Sequence, residues 1–140
     1  LMEMKYADAA LGGKAGLVKH LKDIDAFFSN HESHIVLCES IESQFNQLDK
    51  LGLLRFNRSK NKTKVQLDIN DKPEVIFILT NHNPRSIRLT SYINDPDMYS
   101  FAKSPHFDLR FFVASFAGYG LHADCMVPLA KFRELMKTYI

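Results

Sequence analysis

Two residues in the opening stretch LMEMKY, Glu3 and Lys5, stand two positions apart. On a β-strand successive side chains alternate between faces, so both would project from one side. A carboxylate and an ammonium placed side by side can do phosphoryl chemistry. The carboxylate is a hard oxygen ligand for a Mg²⁺-like cation. Such a cation polarises a phosphate and acidifies its bound water, and the neighbouring ammonium can orient or activate that water. The same pair also suits a solvated strand face, where Glu and Lys are common.

Three other groupings carry chemistry. Arg55, Arg58, Lys60, Lys62 and Lys64 crowd the stretch RFNRSKNKTK, and positive side chains on a turn suit phosphate contacts that position without reading sequence. TNHNPR and AGYGLH each follow an apolar run. If those runs are parallel strands, Asn81, His82, Arg85, Tyr119 and His122 converge at the carboxyl edge of the sheet, where α/β proteins bind ligands. His31, His34 and Cys38, with His122 and Cys125, are spaced as nitrogen and sulfur ligands for a tetrahedral zinc site.

Positioning these residues requires a scaffold, and the periodicities supply one. Residues 1–6 alternate as a short strand and are broken by Gly12-Gly13. Leu17, Val18, Leu21, Ile24 and Phe28 recur at helical spacing, which predicts a helix from Lys14 to about Ser29. A second helix follows, with Ser33 as its N-cap, Gly52 as its C′ residue, and Leu37, Ile41, Phe45 and Leu48 as a core-facing stripe. Leu54 and Phe56, then Val65, Leu67 and Ile69, alternate as the two strands of a hairpin. The unbroken runs Val75 to Leu79 and Leu109 to Ala117 predict strands buried on both faces, as in parallel sheets. Asn83-Pro84 and Asp95-Pro96 are helix starts within the crossover between them. The intervening SIRLTSYI also alternates, so helix and strand both remain open there. Pro128 to Tyr139 predicts a last helix with Leu129, Phe132, Leu135 and Met136 on one face. The fold class is α/β or α+β, with a mixed sheet of about five strands flanked by about four helices in a single domain 1–140.

Composition narrows the class. Hydrophobic residues make up 46% and charged residues 24% of 140 residues, as in a globular domain. A net charge of +2 excludes a histone-like basic protein while leaving room for a local basic patch. Two distant cysteines, Cys38 and Cys125, read as reduced thiols rather than a disulfide framework. With no apolar stretch of bilayer length and no signal pattern, the expected location is cytoplasmic.

The strand carrying Glu3 and Lys5, the glycine turn and the helix GKAGLVKHLKDIDAFF together resemble the C-terminal half of the PD-(D/E)XK nuclease superfamily motif. The resemblance covers about the first thirty residues. It implies a Mg²⁺-dependent endonuclease, a hydrolase of DNA phosphodiesters of restriction or antiviral-defence type. Glu3 would be the metal ligand, the Met4 carbonyl a further metal contact, and Lys5 the partner that orients water. Lys14, Lys19, Arg55, Arg58, Lys60 and Lys62 would be DNA-binding. In the family that strand is central, and a further acid lies on the strand before it. No such acid precedes Glu3 in this sequence, so the resemblance implies a C-terminal fragment with an incomplete metal site, consistent with a start at Leu1. A homodimer is a further expectation. The alternative function is a non-enzymatic α/β regulatory or partner-binding module that works through the 81–85 and 118–122 loops.

Overall fold

The computed structural model describes residues 1–54, 65–83, 86–114 and 125–137. The chain divides into two compact units, Leu1–Ala26 with Lys72–Ile140, and Phe27–Asp71.

The first unit is built on a mixed sheet in the order β1-β2-β3-β4. Its strands are β1 (Met2–Tyr6), β2 (Glu74–Thr80), β3 (Asp108–Ala114) and the two-residue β4 (Val127–Pro128). β1 and β3 both pair with β2 in parallel, and β4 closes the other side of β3 antiparallel. β2 is buried from Val75 to Thr80 because it has a neighbour on each side and cover on each face. Its apolar run is unbroken for that reason. Glu3 lies level with Phe77 and Phe111, and Lys5 with Leu79 and Val113, so these side chains share one face. On that face Phe77 and Phe111 stack at 6.1 Å, and Phe111 and Phe132 at 5.0 Å. Ile76, Ile78, Phe112, Ala114 and Met126 form a second cluster on the opposite face.

Helix α1 (Leu17–Ser29) buries Leu17, Leu21 and Phe28, as its spacing predicts. It is preceded by two 3₁₀ turns, Asp8–Leu11 and Gly13–Ala15. The crossover from β2 to β3 contains α3 (Ile87–Ile93) and α4 (Pro96–Phe101), which resolves SIRLTSYI as helix. Asp95 caps α4 and Pro96 opens it, as expected. The cap of α3 is Ser86 rather than Asn83, because the Ser86 side chain accepts from Leu89 N–H. Pro128 pairs in β4, and the last helix, α5 (Leu129–Lys137), begins one residue later. It buries Leu129, Phe132 and Met136, but Leu135 points outward. Four strands rather than about five are present among the described residues.

The second unit holds α2 (His31–Lys50). Its N-cap is Asn30 rather than Ser33, the Asn30 Oδ1 accepting from Ser33 N–H at 3.0 Å. Gly52 sits at φ 69° just past the helix end, as its position predicts. Leu53 N–H reaches Leu48 O and Gly52 N–H reaches Asp49 O, the paired bonds of a Schellman end. Two expectations fail in this unit. No residue of α2 is buried, so Leu37, Ile41, Phe45 and Leu48 do not form a core stripe. Residues 65–68 are not a hairpin strand. Their backbone groups are taken by α2 side chains instead: Asn46 exchanges two bonds with Val65, each 3.2 Å, and Glu42 accepts from Leu67 N–H at 2.5 Å. A side chain on every fourth residue of a helix matches every second residue of an extended segment. The alternation therefore satisfies a helix flank rather than a sheet. The other expected strand and the tip, residues 55–64, lie outside the described residues.

Candidate functional site

Alternation along β1 leaves Met2, Met4 and Tyr6 exposed on one face of this edge strand and puts Glu3 and Lys5 on the other, where Lys5 meets α1. Lys5 is only 3% exposed. Taking an ammonium out of water costs several kcal/mol unless each of its three protons finds an acceptor. Three acceptors are in place. Lys5 Nζ lies 3.0 Å from Glu3 Oε1, 2.5 Å from Ala15 O and 3.1 Å from His20 Nδ1. Glu3 also balances the charge.

The glycine turn makes this arrangement possible. A Cβ on Gly16 would fall 2.7 Å from the backbone of Gly12, so the chain closes on itself only with hydrogen at that position. A Cβ on Gly12 would overlap the hydroxyl end of Tyr92. The closed turn presents Ala15 O to Lys5 and starts α1 close enough for His20, one turn in, to meet β1. His20 Nδ1 is 2.8 Å from Glu3 Oε1. With a proton it donates to Glu3; without one it accepts from Lys5. The proton on His20 therefore decides which neighbour it holds. The Glu3 and His20 side chains are 31% and 30% exposed, so both reach solvent while Lys5 does not.

His20 is the site residue that the sequence reading missed. It sits on the flank of the α1 stripe, and its membership depends on how the glycine turn docks the helix. The remaining expected residues are distributed as follows. Lys14 and Lys19 are exposed, and Lys19 pairs with Asp23 one turn on. Arg55, Arg58, Lys60, Lys62 and Lys64 lie outside the described residues, as do Arg85, Tyr119 and His122. β1 is the edge of the sheet among the described residues rather than a central strand, because its only partner there is β2.

At the carboxyl edge of β1 and β2, the His82 side chain is buried and Asn81 is exposed. Asn81, at φ 52°, donates to the Tyr6 hydroxyl at 3.1 Å. His82 Nδ1 lies 2.9 Å from Asp8 Oδ1 and its Nε2 lies 3.3 Å from Lys5 O, which also accepts from Thr80 Oγ1. Burial pushes the Asp8 carboxyl up, but hydrogen bonds from Ser86 and His82, the His82 charge and the Asn83 backbone together hold it below its ordinary range. This edge fixes the end of the strand that carries Lys5.

Among the described residues no three His, Cys, Asp or Glu side chains are grouped as a metal site. His34 stacks edge-on against Phe28 at 5.3 Å, and Cys38 and Cys125 are free thiols. The donor set at β1 and α1 is therefore one carboxylate and one imidazole from two different elements. A hard dication takes one or two carboxylates and completes its shell with water and substrate phosphate, so Glu3 is a donor of that kind and the His20 imidazole is not. No helix among the described residues is long and apolar enough to cross a membrane. Compared with family models, curated proteins and solved structures, the chain matches none of them.

Proposed function

We propose that the chain carries the Glu-x-Lys part of a metal-dependent DNA endonuclease site, in keeping with its resemblance to the PD-(D/E)XK nucleases. The observation that carries this reading is the convergence of Glu3 Oε1, Lys5 Nζ and His20 Nδ1 within 3.1 Å of one another, with Glu3 and His20 open to solvent. Glu3, with the Met4 carbonyl, would hold a Mg²⁺-like ion. When bound, that ion supplies charge for the scissile phosphate and acidity for its water. Lys5 fixes the Glu3 carboxylate from its buried side. His20 is placed to hold or release a proton next to the same carboxylate. Lys14, Lys19 and the basic stretch at 55–64 would meet the DNA backbone. A further acid, absent from this stretch, would complete the family's metal set, and restriction or antiviral defence is the natural setting for such an enzyme.

The test is nicking of supercoiled plasmid by the purified chain in Mg²⁺ or Mn²⁺. Glu3→Gln and Lys5→Met should each lower the rate by about a hundredfold or more. Perturbation of the Mn²⁺ spin-resonance signal by the wild type, lost in Glu3→Gln, reads the cation site independently of turnover. Cleavage that survives Glu3→Gln, or a wild type that neither cleaves nor perturbs the Mn²⁺ signal, would sink the reading in favour of a binding module.

A further inference from the structure

The His82 side chain is 3% exposed, and both of its ring nitrogens face oxygen. Nδ1 lies 2.9 Å from Asp8 Oδ1 and Nε2 lies 3.3 Å from Lys5 O. Neither oxygen has a proton to give. A carbonyl only accepts, and the Asp8 carboxyl, held below its ordinary range, is ionised and only accepts too. A neutral imidazole donates through one nitrogen alone. Its other nitrogen would turn a lone pair against an oxygen where there is little water, and a buried polar contact left unmade in this way is costly. The ring that satisfies both neighbours is the one that carries both protons.

We propose that His82 is held as an imidazolium whose second proton latches the end of β1 to β2, a pH-sensitive switch that stands apart from the endonuclease reading. The ring follows β2 and bonds two other segments: β1 through Lys5 O, and the 3₁₀ turn Asp8–Leu11 through Asp8. Each of those segments has a further tie. Asp8 also takes hydrogen bonds from Ser86 and Asn83, and Lys5 O accepts from Thr80 Oγ1 at 3.2 Å. Loss of the proton therefore loosens this edge without unfolding it. It removes one of the two ring bonds and the charge that balances Asp8. The groups around the ring leave that balance to Asp8. Lys5 turns its ammonium to Glu3 and His20, the Tyr6 hydroxyl is held by Asn81, and Thr80, Asn83 and Ser86 carry no charge. The latch is closed while Asp8 is ionised and His82 protonated, and it opens as pH rises and the ring proton leaves. The loosened turn leads on to the glycine turn that presents Ala15 O to Lys5.

The test is nuclear magnetic resonance of the ring nitrogens and amide exchange in the full chain from about pH 5 to 8, the span over which a histidine changes charge. At the acid end both His82 ring nitrogens should carry protons that exchange slowly with water, while those of the exposed His31 exchange at once. As the ring turns neutral, protection of the Ala7 amide, which donates to Thr80 O at 2.9 Å, should fall by about tenfold or more beyond the intrinsic rise of exchange with pH. Amides between β2 and β3 should not follow. His82→Gln keeps one donor and no charge, so Ala7 should show the lowered protection at every pH. Asp8→Asn keeps an acceptor and removes the counter-charge, so the ring proton should leave at a lower pH than in the wild type. A His82 ring with a single proton at the acid end overturns the imidazolium. A ring that keeps both protons throughout, or loses one with no change at Ala7, overturns the latch, as does an Ala7 response that persists in His82→Gln.

Discussion

Helices α1 and α2 are consecutive, with Asn30 alone between them, and their stripes have the same form. Leu17, Leu21, Ile24 and Phe28 step by four, three and four; Leu37, Ile41, Gln44 and Leu48 do the same. α1 nevertheless buries Leu17, Leu21 and Phe28, and α2 buries nothing. The periodicity states that a helix has a side needing cover. It does not state what supplies that cover. α1 begins where the glycine turn brings it against β1, and Leu17 and Leu21 go under on the turns that also carry His20. α2 has the 65–67 segment beside it, and that segment binds through polar groups on a flank away from the stripe.

The largest effects should separate the two helices. Leu21→Ala removes a side chain with no exposed surface and should cost about 2–5 kcal/mol in urea unfolding. Leu48→Ala, at an exposed position of α2, should fall within about 0.5 kcal/mol of wild type. Equal losses at the two positions would break the contrast and mean that α2 is covered after all.

Polar groups give the comparison its other half, because the first unit buries a charge while the second exposes its leucines. Glu3→Gln leaves the Lys5 ammonium without a counter-charge. Loss of one partner from a fully buried pair costs 3–5 kcal/mol, and with Glu3 about a third exposed the loss should be nearer 1–3 kcal/mol. Adding Lys5→Met, which keeps the length and removes the charge, should recover part of that loss. A double variant less stable than Glu3→Gln alone would show that the ammonium is held mainly by Ala15 O and His20 rather than by the carboxylate.

The sheet was legible in the sequence and the Lys5 cluster only half so. The apolar runs Val75 to Leu79 and Leu109 to Ala117 pointed to β2 and β3 as strands of a parallel or mixed sheet, because a strand covered on both faces has no reason to alternate, and the register makes the pair parallel. Alternation put Glu3 and Lys5 on one face. It could not show that this face is closed, since a Lys on a six-residue stretch reads as solvated unless the helix docked above it is known. His20 was invisible for the same reason. Val65, Leu67 and Ile69 misled in the opposite direction. Period-two spacing reports an extended backbone with two unlike sides, and here α2 side chains rather than a neighbouring strand satisfy that backbone.

The smallest effect should come from the carboxyl edge of β1, and it tests how far the polar network that holds Lys5 extends. Asp8 has a carboxyl below its ordinary range because the bonds from Ser86 and His82 outweigh the effect of burial. A carboxyl depressed in the folded chain stabilises the fold above the unfolded value, about pH 3.9, and loses that contribution as pH falls through the folded value. Asp8→Asn should therefore lower stability near neutral pH by about 1 kcal/mol. It should also flatten the decline of the thermal midpoint below about pH 4, where wild type loses what the variant never had. If the two curves stay parallel down to acid pH, Asp8 contributes as a hydrogen-bond acceptor and not as a charge. The cluster at Lys5 would then end at His20, and the His82 edge would be a separate clamp on the strand.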